Sequence, residues 1–279
     1  MRQFVLTNAI GESWDLQDKD RVFFAELEGL GWEDATEYVR AGNNYLPLEL
    51  IWEQKEISGT LFFLKNPYPT YFAFTRFAAR TPLTMTYTTV NGETYRVKCR
   101  LTTIEKTELT EFRCLECPVT FSTLGLFYRI ASVYNPGESA GGGKVYDYEY
   151  DYSYSDMVAE TVRITSDSME DSPCKIWIYG PCENPSWRHY VDGQFIGMGS
   201  MTGEIPQGRV LVIDSTTIPY SITEQDYLGN LTADRYQACD FGTERFIFLK
   251  NGNNTIAISH TDVAVCPIKV EANISYASV

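Results

Sequence analysis

Residues 81–123 read TPLTMTYTTVNGETYRVKCRLTTIEKTELTEFRCLECPVTFST, and this stretch decides the fold class. Residues 84–90 and 94–103 are rich in threonine, tyrosine and valine, which favour strands. The dipeptide Asn91–Gly92 joins these two runs and is a strong signal of a β-hairpin, because its residues tolerate positive φ angles. Residues 112–121 predict a further strand. The stretch therefore predicts an antiparallel sheet in the first half of the chain.

The segments on the N-terminal side of this sheet predict further strands and one helix. Residues 49–63 predict two strands joined by a turn at Ser58–Gly59. The segment NPYPTYFAFTRF (66–77) begins with two prolines that argue against a helix at its start. The aromatic residues after them recur at helical spacing and predict a helix that ends near Ala79. The apolar run at residues 22–30 fits a strand and a helical turn equally well.

The chain is predicted to contain two β-rich domains separated by a glycine-rich linker. Residues 1–135 predict a small antiparallel sheet or barrel with one helix packed on it. Residues 136–145 begin with a proline and contain four glycines, a composition typical of a linker. Beyond residue 155, turn signals separate short strands at intervals of about eight to twelve residues. No amphipathic helix intervenes, so residues 146–279 predict a β-sandwich or jelly roll.

Five tyrosines alternate with other residues where the second predicted domain begins: Tyr146, Tyr148, Tyr150, Tyr152 and Tyr154. Acidic residues occupy three of the intervening positions. Because side chains alternate across a strand, the run predicts one aromatic face and one acidic face. Tyrosine combines an apolar ring with a polar hydroxyl, which suits a surface where two bodies meet. Either this strand covers the core of its own domain, or it forms a seam with another domain or subunit.

Composition and charge exclude several classes of function. The 279 residues are 44% hydrophobic, which is typical of a globular protein, and carry a formal charge of −14. Binding to phosphate backbones needs clustered lysine and arginine, so we expect no direct binding to nucleic acid. No signal-peptide core is visible at the N-terminus. No apolar run approaches the roughly 18 residues of a membrane helix, so we expect no membrane contact and folding in a cytoplasm.

The residues that most often carry catalysis lack a recognisable context. The two histidines, His189 and His260, are predicted at exposed positions, and no serine lies in a G-x-S-x-G motif. The segment GESAGGGK lacks the spacing of a phosphate-binding loop. Cys114 and Cys117 form a C-x-x-C motif, but no second ligand pair follows at the spacing of a zinc site. We therefore predict no catalytic residue, no metal and no cofactor, with the cysteines free and partly buried.

An aromatic cluster in the second half raises carbohydrate binding as an alternative function. Trp177, Tyr179, Trp187 and Tyr190 lie close together in the sequence. Aromatic side chains on a jelly roll can stack on sugar rings, so Trp187 and Tyr190 are candidate contacts for a cell-wall glycan or for a partner protein. In the other interpretation, Trp177 and Tyr179 share one face of a strand and belong to the core.

Several segments, in their order along the chain, resemble siphophage distal tail proteins. In the second half these are IWIYGPCENPSW (176–187), MGSMTGEIPQGRVLVID (198–214), ERFIFLKNGNNTIAIS (244–259) and KVEANISYASV (269–279). In the first half they are GNNYLPLELIWEQKEISGTLFF (42–63), NPYPTYFAFTRF (66–77) and IEKTELTEFRCLECPVTF (104–121). In family members, the segment that LKNGNNTI resembles joins two strands as a hairpin. The alternating tyrosines resemble the segment that joins the two halves of family members. The resemblance covers nearly the whole chain.

The resemblance implies a structural protein of the virion that has no catalytic residues. Family members form six-fold rings at the end of the tail tube. Their N-terminal domain, a split β-barrel with one helix, builds the ring, and their galectin-like C-terminal β-sandwich projects outward. The ring joins the tail tube protein to the tail-tip or baseplate protein and in some phages carries receptor-binding proteins. The five tyrosines would then pack the second domain against the ring domain or a neighbouring copy.

Overall fold

The computed structural model describes residues 2–32, 35–48, 52–137, 160–261 and 266–279. The chain divides into two units, which are Met1–Arg129 with Tyr276–Val279, and Ile130–Ser275. Most of the predicted linker and all five alternating tyrosines lie outside the described residues, so the predicted domain limits around them stay a prediction.

The first unit is a curled antiparallel sheet with one α-helix. Its elements are β1 (Gln3–Thr7), β2 (Ser13–Asp15), β3 (Val22–Glu28), β4 (Tyr38–Ala41), β5 (Asn44–Pro47), β6 (Glu56–Phe63), α1 (Pro67–Ala78), β7 (Leu83–Thr88), β8 (Thr94–Ile104), β9 (Leu115–Thr123) and the start of β10 (Phe127–Asn135). Seven of the strands pair in the order β2-β1-β7-β8-β9-β6-β3. Leu16 links the two ends, because its N–H donates to Phe4 O and its carbonyl accepts from Phe24 N, both at 2.8 Å. The sheet therefore curls towards a barrel without closing, the split form that was expected.

The hairpin predicted at Asn91–Gly92 is confirmed. Strands β7 and β8 pair up to Thr88 and Thr94, and Gly92 adopts a φ of 89° in the turn between them. The ambiguous run at residues 22–30 is resolved as strand β3. Its burial alternates at first, since Val22 and Phe24 face the core, and this period of two is the mark of a strand.

Helix α1 begins earlier than predicted, at Pro67 itself. A proline at the first helical position lacks only an N–H that has no partner within the helix, so it starts a helix instead of preventing one. The helix buries Tyr71, Phe74 and Phe77 and ends at Ala78, as its spacing predicts. It is 12 residues long, and no helix in the described ranges is long and apolar enough to cross a membrane.

An aromatic core joins this helix to the curled sheet. The Phe74 ring lies 5.4 Å from Trp14 and 5.8 Å from Phe63, measured between ring centroids. Across the sheet, the Phe24 ring lies 5.9 Å from Phe4 and 6.1 Å from the ring of Phe121. Aromatic pairs of this kind contribute about 0.5–1.5 kcal/mol each beyond their burial, so they stabilise the core of this unit.

The predicted turn at Ser58–Gly59 is wrong, because strand β6 continues through both residues. A Cβ atom on Gly59 would lie 2.7 Å from the carbonyl oxygen of Ala25 on the neighbouring strand β3. Strand β3 is irregular there, with a register shift between Ala25 and Glu28. The glycine therefore permits a close approach between two strands, a role that its sequence context does not distinguish from a turn.

We expect Gly59→Ala to lower the free energy of unfolding by about 1–3 kcal/mol, because the added methyl group forces two backbones apart. Gly125→Ala is the matched control, since a Cβ there meets nothing within 4 Å. Urea unfolding of both variants measures the difference. Equal stability of the two variants would contradict the close approach.

The second unit is a sandwich of two antiparallel sheets. Its elements are the rest of β10, β11 (Glu160–Ser166), β12 (Ser172–Tyr179), β13 (Cys182–Glu183), β14 (Ser186–Val191), β15 (Gln194–Ser200), β16 (Glu204–Ile205), β17 (Arg209–Asp214), β18 (Ser221–Asp226), β19 (Leu231–Asp234), a 3-10 helix (Tyr236–Ala238), β20 (Phe248–Leu249), β21 (Gly252–Ser259) and β22 (Ile268–Tyr276). One sheet has the order β19-β18-β17-β12-β22, and the other has the order β11-β21-β14-β15. The predicted β-sandwich is confirmed.

The two faces of strand β12 differ in burial. Cys174, Ile176 and Ile178 are buried, whereas Trp177 and Tyr179 alternate with them on the other face and are half-buried. The interpretation of Trp177 and Tyr179 as core residues is therefore wrong. They share one face of a strand, as predicted, but it is the outer face.

The segment LKNGNNTI is not a hairpin, which corrects a further expectation. Strand β20 pairs with β12 in one sheet, whereas β21 pairs with β11 and β14 in the other. The Asn254 side chain holds the turn between them by donating from Nδ2 to Lys250 O at 2.7 Å and to Gly252 O at 3.1 Å. The turn therefore carries the chain from one layer of the sandwich to the other.

The last four residues belong to the first unit. The Lys55 ammonium is buried and donates to the carbonyl oxygens of Gly31 and Ala277. Val279 N donates to Leu30 O at 3.1 Å. These hydrogen bonds fasten the C-terminal residues to the unit in which the chain begins.

Candidate assembly site

Strands β4 and β5 form a separate hairpin in the first unit. Tyr38 lies opposite Pro47, Val39 opposite Leu46, and Ala41 opposite Asn44, and the turn begins at Gly42 with a φ of 65°. All eight residues of the two strands are exposed. In the part of the chain that the structure describes, these strands pair only with each other.

The hairpin presents large apolar side chains to solvent. Their exposed fractions are 59% for Tyr38, 48% for Val39, 67% for Tyr45 and 55% for Leu46, and Leu48 just beyond the hairpin is 64% exposed. Because directly opposite residues point to one face, Val39 and Leu46 share a face. Tyr38 and Tyr45 share the other. Both faces of the hairpin therefore expose large apolar side chains.

Such a hairpin is a candidate contact with another protein chain. A two-stranded hairpin alone is at best marginally stable in water. Apolar residues that are exposed on both of its faces contribute little to the stability of the unit in a single copy. Contiguous exposed apolar surface marks interaction sites, and unpaired strand edges can accept a further strand. We define residues 38–48 as the arm of the first unit. Its composition suits burial against a protein surface and offers no catalytic group.

Comparison with known families identifies the first half of the chain. Residues 3–124 match the family model for the distal tail protein, N-terminal domain. These residues therefore form a domain of the phage distal tail protein family. The match relates the first half of the chain to a protein of the phage tail. The arm lies within the matched residues.

Solved structures from phage baseplates share the fold over the whole chain. A chain from the activated baseplate of phage P2 with calcium aligns at a TM-score of 0.66 and 14% identity, with 100% of each chain covered. The strontium form of that baseplate gives 0.65 at 14% identity, again with both chains fully covered. The Dit protein of phage SPP1, titled a paradigm of the hub adsorption apparatus in phages infecting Gram-positive bacteria, gives 0.64 at 9% identity and covers 97% of this chain and 98% of its own. At these identities the similarity concerns the fold. No curated protein sequence matches this chain.

The predicted contact residues of the second half occupy different environments. Trp187 is fully buried, and its indole N–H donates to Arg245 O at 2.9 Å. Trp187 therefore has no surface for a glycan or a partner, and that prediction is wrong, because position 187 faces inward on β14. Tyr190 is half-buried, with its ring 5.8 Å from the exposed ring of Phe195. Its role in contacts stays a prediction, as does that of the five tyrosines.

Both histidines are buried, which corrects their predicted exposure. His189 Nε2 lies 2.8 Å from Asn254 Oδ1 and donates to it. Asn254 Oδ1 also accepts from Lys250 N at 2.9 Å. Burial lowers the pKa of His189 below its usual value, and the hydrogen bond to Asn254 opposes this in part. His189 therefore supports the turn between the two sheets as a neutral side chain.

A depressed histidine pKa makes stability depend on pH in a definite direction. The contribution of His189 to the free energy of unfolding is fully present above the unfolded histidine pKa of about 6.5. It is lost as the pH falls towards the pKa of His189 in the folded chain, because the unfolded chain then binds a proton that the folded chain excludes. We expect His189→Gln, which keeps a donor for Asn254, to reduce the loss of unfolding free energy between about pH 7.5 and about pH 5.5. Urea unfolding at the two pH values measures it. The same pH dependence in both proteins would contradict this.

The seven cysteines are free and buried. Burial raises the pKa of Cys99 and of Cys174 to about 12, so these thiols are not poised as nucleophiles. Cys114 and Cys117 contact the hydroxyl groups of nearby threonines. Among the described residues, the side chains that could hold a metal ion form one group elsewhere, in the second unit: Glu160, His260 and Cys266.

Proposed function

We propose that six copies of this distal tail protein form a closed ring at the end of the tail tube, with the arm as the contact between neighbouring copies. The observation that carries this proposal is the arm itself, which exposes apolar side chains on both faces. A closed cyclic ring needs heterologous contacts, in which one surface of each copy meets a different surface of the next. A hairpin that is separate from its own sheet fits such a contact.

The arm offers enough surface to hold two copies together. Complete burial of a large apolar side chain contributes about 1.5–3 kcal/mol, and five side chains that are about half exposed can gain on the order of 5 kcal/mol in total. Pairing of a free strand edge adds main-chain hydrogen bonds to this. A ring repeats the contact six times and closes, so each copy is held on two sides.

The ring is proposed to join the tail tube protein to the tail-tip protein and to serve as an attachment point for receptor-binding proteins. The formal charge of −14 on each chain supports a ring through which DNA passes without being held, because like charges repel the phosphate backbone. The five alternating tyrosines are proposed to pack the second unit's N-terminal segment against the ring domain or a neighbouring copy.

Electron microscopy of the purified full-length chain tests this function. The proposal expects rings with six-fold symmetry. A glycan array probed with the same protein tests the carbohydrate-binding alternative, which has lost Trp187 as a contact. Single copies at every concentration, together with specific binding to a cell-wall glycan, would overturn the ring proposal.

A further inference from the structure

Four buried side chains of the second unit converge from the ends of different strands. Glu160 is the first residue of β11, Cys182 is the first residue of β13, His260 directly follows β21, and Cys266 stands two residues before β22. Their exposed fractions are 4%, 0%, 6% and 0%, so each is more than nine-tenths buried. These residues are far apart in the sequence and meet only through the fold.

The potential ligand atoms of three of these residues are close enough to share one ion. One ligand atom each from Glu160, His260 and Cys266 lies within 4.8 Å of the other two. Cys182 lies outside this group of three, but its thiol is close enough to that of Cys266 to interact with it. Cys266 N donates to Glu160 Oε1 at 2.6 Å, and its thiol donates to Tyr179 O at 2.9 Å. The two hydrogen bonds hold the carboxyl group and the thiol beside each other.

The cluster leaves buried polar atoms without partners. Neither His260 Nδ1 nor His260 Nε2 has a hydrogen-bond partner, and Glu160 Oε2 also has none. A buried polar atom without a partner costs about 1–3 kcal/mol, so folded proteins rarely keep three together. Elsewhere in the described residues, only Arg245 has buried side-chain atoms of this kind. One imidazole nitrogen and one carboxylate oxygen with free lone pairs, beside the Cys266 thiol, indicate a missing cation.

We propose that Glu160, His260 and Cys266 bind one zinc ion through a carboxylate oxygen, an imidazole nitrogen and a thiolate, and that the neighbouring Cys182 moves towards the ion and supplies a second thiolate as the fourth ligand. Thiolate and imidazole ligands favour zinc over hard cations such as calcium and magnesium, and four protein ligands complete the tetrahedral shell of a structural site. On binding, the ion replaces the protons of both thiols, which pass to solvent. The two positive charges then face three negative ones, which removes most of the cost of burying them.

Without a cation, the cluster disfavours the charged forms of its acidic groups. Burial raises the pKa of Glu160 above its usual value. The interaction with the Cys182 thiol and burial raise the pKa of the Cys266 thiol. A bound cation reverses both effects, because it favours the deprotonated ligands. The ligands of the proposed site stand at positions 160, 182, 260 and 266 without the spacing of a known motif, so sequence patterns do not indicate them.

The site has a structural role in this assignment. It ties the start of the β11 strand to the β12–β13 connection and to the segment between β21 and β22. These segments contribute to different sheets of the sandwich, so one ion fastens both layers at that end of the unit. The second unit then resists thermal unfolding better with zinc than without it.

Metal binding by the full-length, reduced protein tests the proposal. We expect one zinc ion per chain after dialysis, a Tm that rises with zinc and falls with a chelator, and no rise with calcium. Cobalt in place of zinc is expected to show sulfur-to-cobalt charge transfer and the visible bands of a tetrahedral site. A folded wild-type protein without cobalt–sulfur absorption overturns the proposal, and this test needs no variant.

Single substitutions assign the ligands. We expect Cys182→Ser and Cys266→Ser each to weaken zinc binding by more than about tenfold, the lower end of the loss seen when even an outer partner of a metal site is removed. Cys239→Ser is the matched control, because Cys239 is another buried free thiol of the same unit and lies outside the cluster. Equal zinc affinity of the control and both ligand variants would overturn the assignment. So would a Cys182–Cys266 disulfide, seen by mass as a loss of two hydrogens, in protein kept reduced.

Discussion

With Val39 and Leu46 both changed to serine, the protein is expected to sediment as single chains of 31.7 kDa instead of rings. The two residues lie opposite each other on one face of the arm and are about half exposed. Losing both from an interface removes roughly 3 kcal/mol. That weakens each contact about a hundredfold. A ring contains six such contacts, so the loss acts on all of them.

The same double variant is expected to keep the thermal stability of the single chain. Its side chains are already exposed there, so their removal changes little buried surface. Val90→Ser is the matched control, because Val90 is exposed on a different hairpin of the same unit, and it is expected to leave the rings intact. Sedimentation velocity and a thermal melt measure both effects. Rings that persist in the double variant, or that also vanish with Val90→Ser, would exclude the arm as the contact.

Trp187→Ala is expected to cost about 3–5 kcal/mol of unfolding free energy, the loss typical of removing a large aromatic side chain from a core. The indole fills the sandwich so closely that a Cβ atom on Gly199 would lie 2.4 Å from its ring. Its N–H also holds Arg245 O, which would be left without that donor. A tryptophan that bound sugar at the surface would show the opposite pattern, with little loss of stability and a large loss of binding.

Trp177→Ala separates these two cases. Trp177 lies on the outer face of β12, where the ammonium groups of Lys175 and Lys269 lie 5.2 Å and 4.5 Å from its ring centroid. Its removal is expected to cost about 1 kcal/mol, since cation–π contacts near the surface contribute about 0.5–1 kcal/mol each. Chemical unfolding of both variants measures the contrast. A loss for Trp187→Ala no larger than that for Trp177→Ala would contradict the burial of Trp187.

The sequence was sufficient to predict strands and turns where apolar and polar side chains alternate and where the turn residues are characteristic of a turn type. The hairpin at Asn91–Gly92 was predictable because such a turn needs positive φ, which Gly92 adopts. The inward face of a strand was harder to choose. Trp177 and Trp187 both lie on strands, and only the position of each strand in the sandwich decides which ring is buried.

The features that sequence reasoning missed depend on distant parts of the chain. The arm has apolar residues on both faces, so it lacks the alternation of a half-buried strand, and only the short Gly42–Asn43 turn could have revealed it. The close approach at Gly59 depends on the backbone of another strand. The cluster around His260 is built from the ends of several strands. Each is a consequence of tertiary packing, which local sequence patterns do not predict.

The mass of the assembled wild-type protein tests the central claim most directly. Native mass spectrometry of the full-length chain is expected to show a species of six chains, about 190 kDa for a chain of 31.7 kDa, that persists on dilution. A single 31.7 kDa species at every concentration would contradict the claim that this protein works by joining copies of itself into a ring.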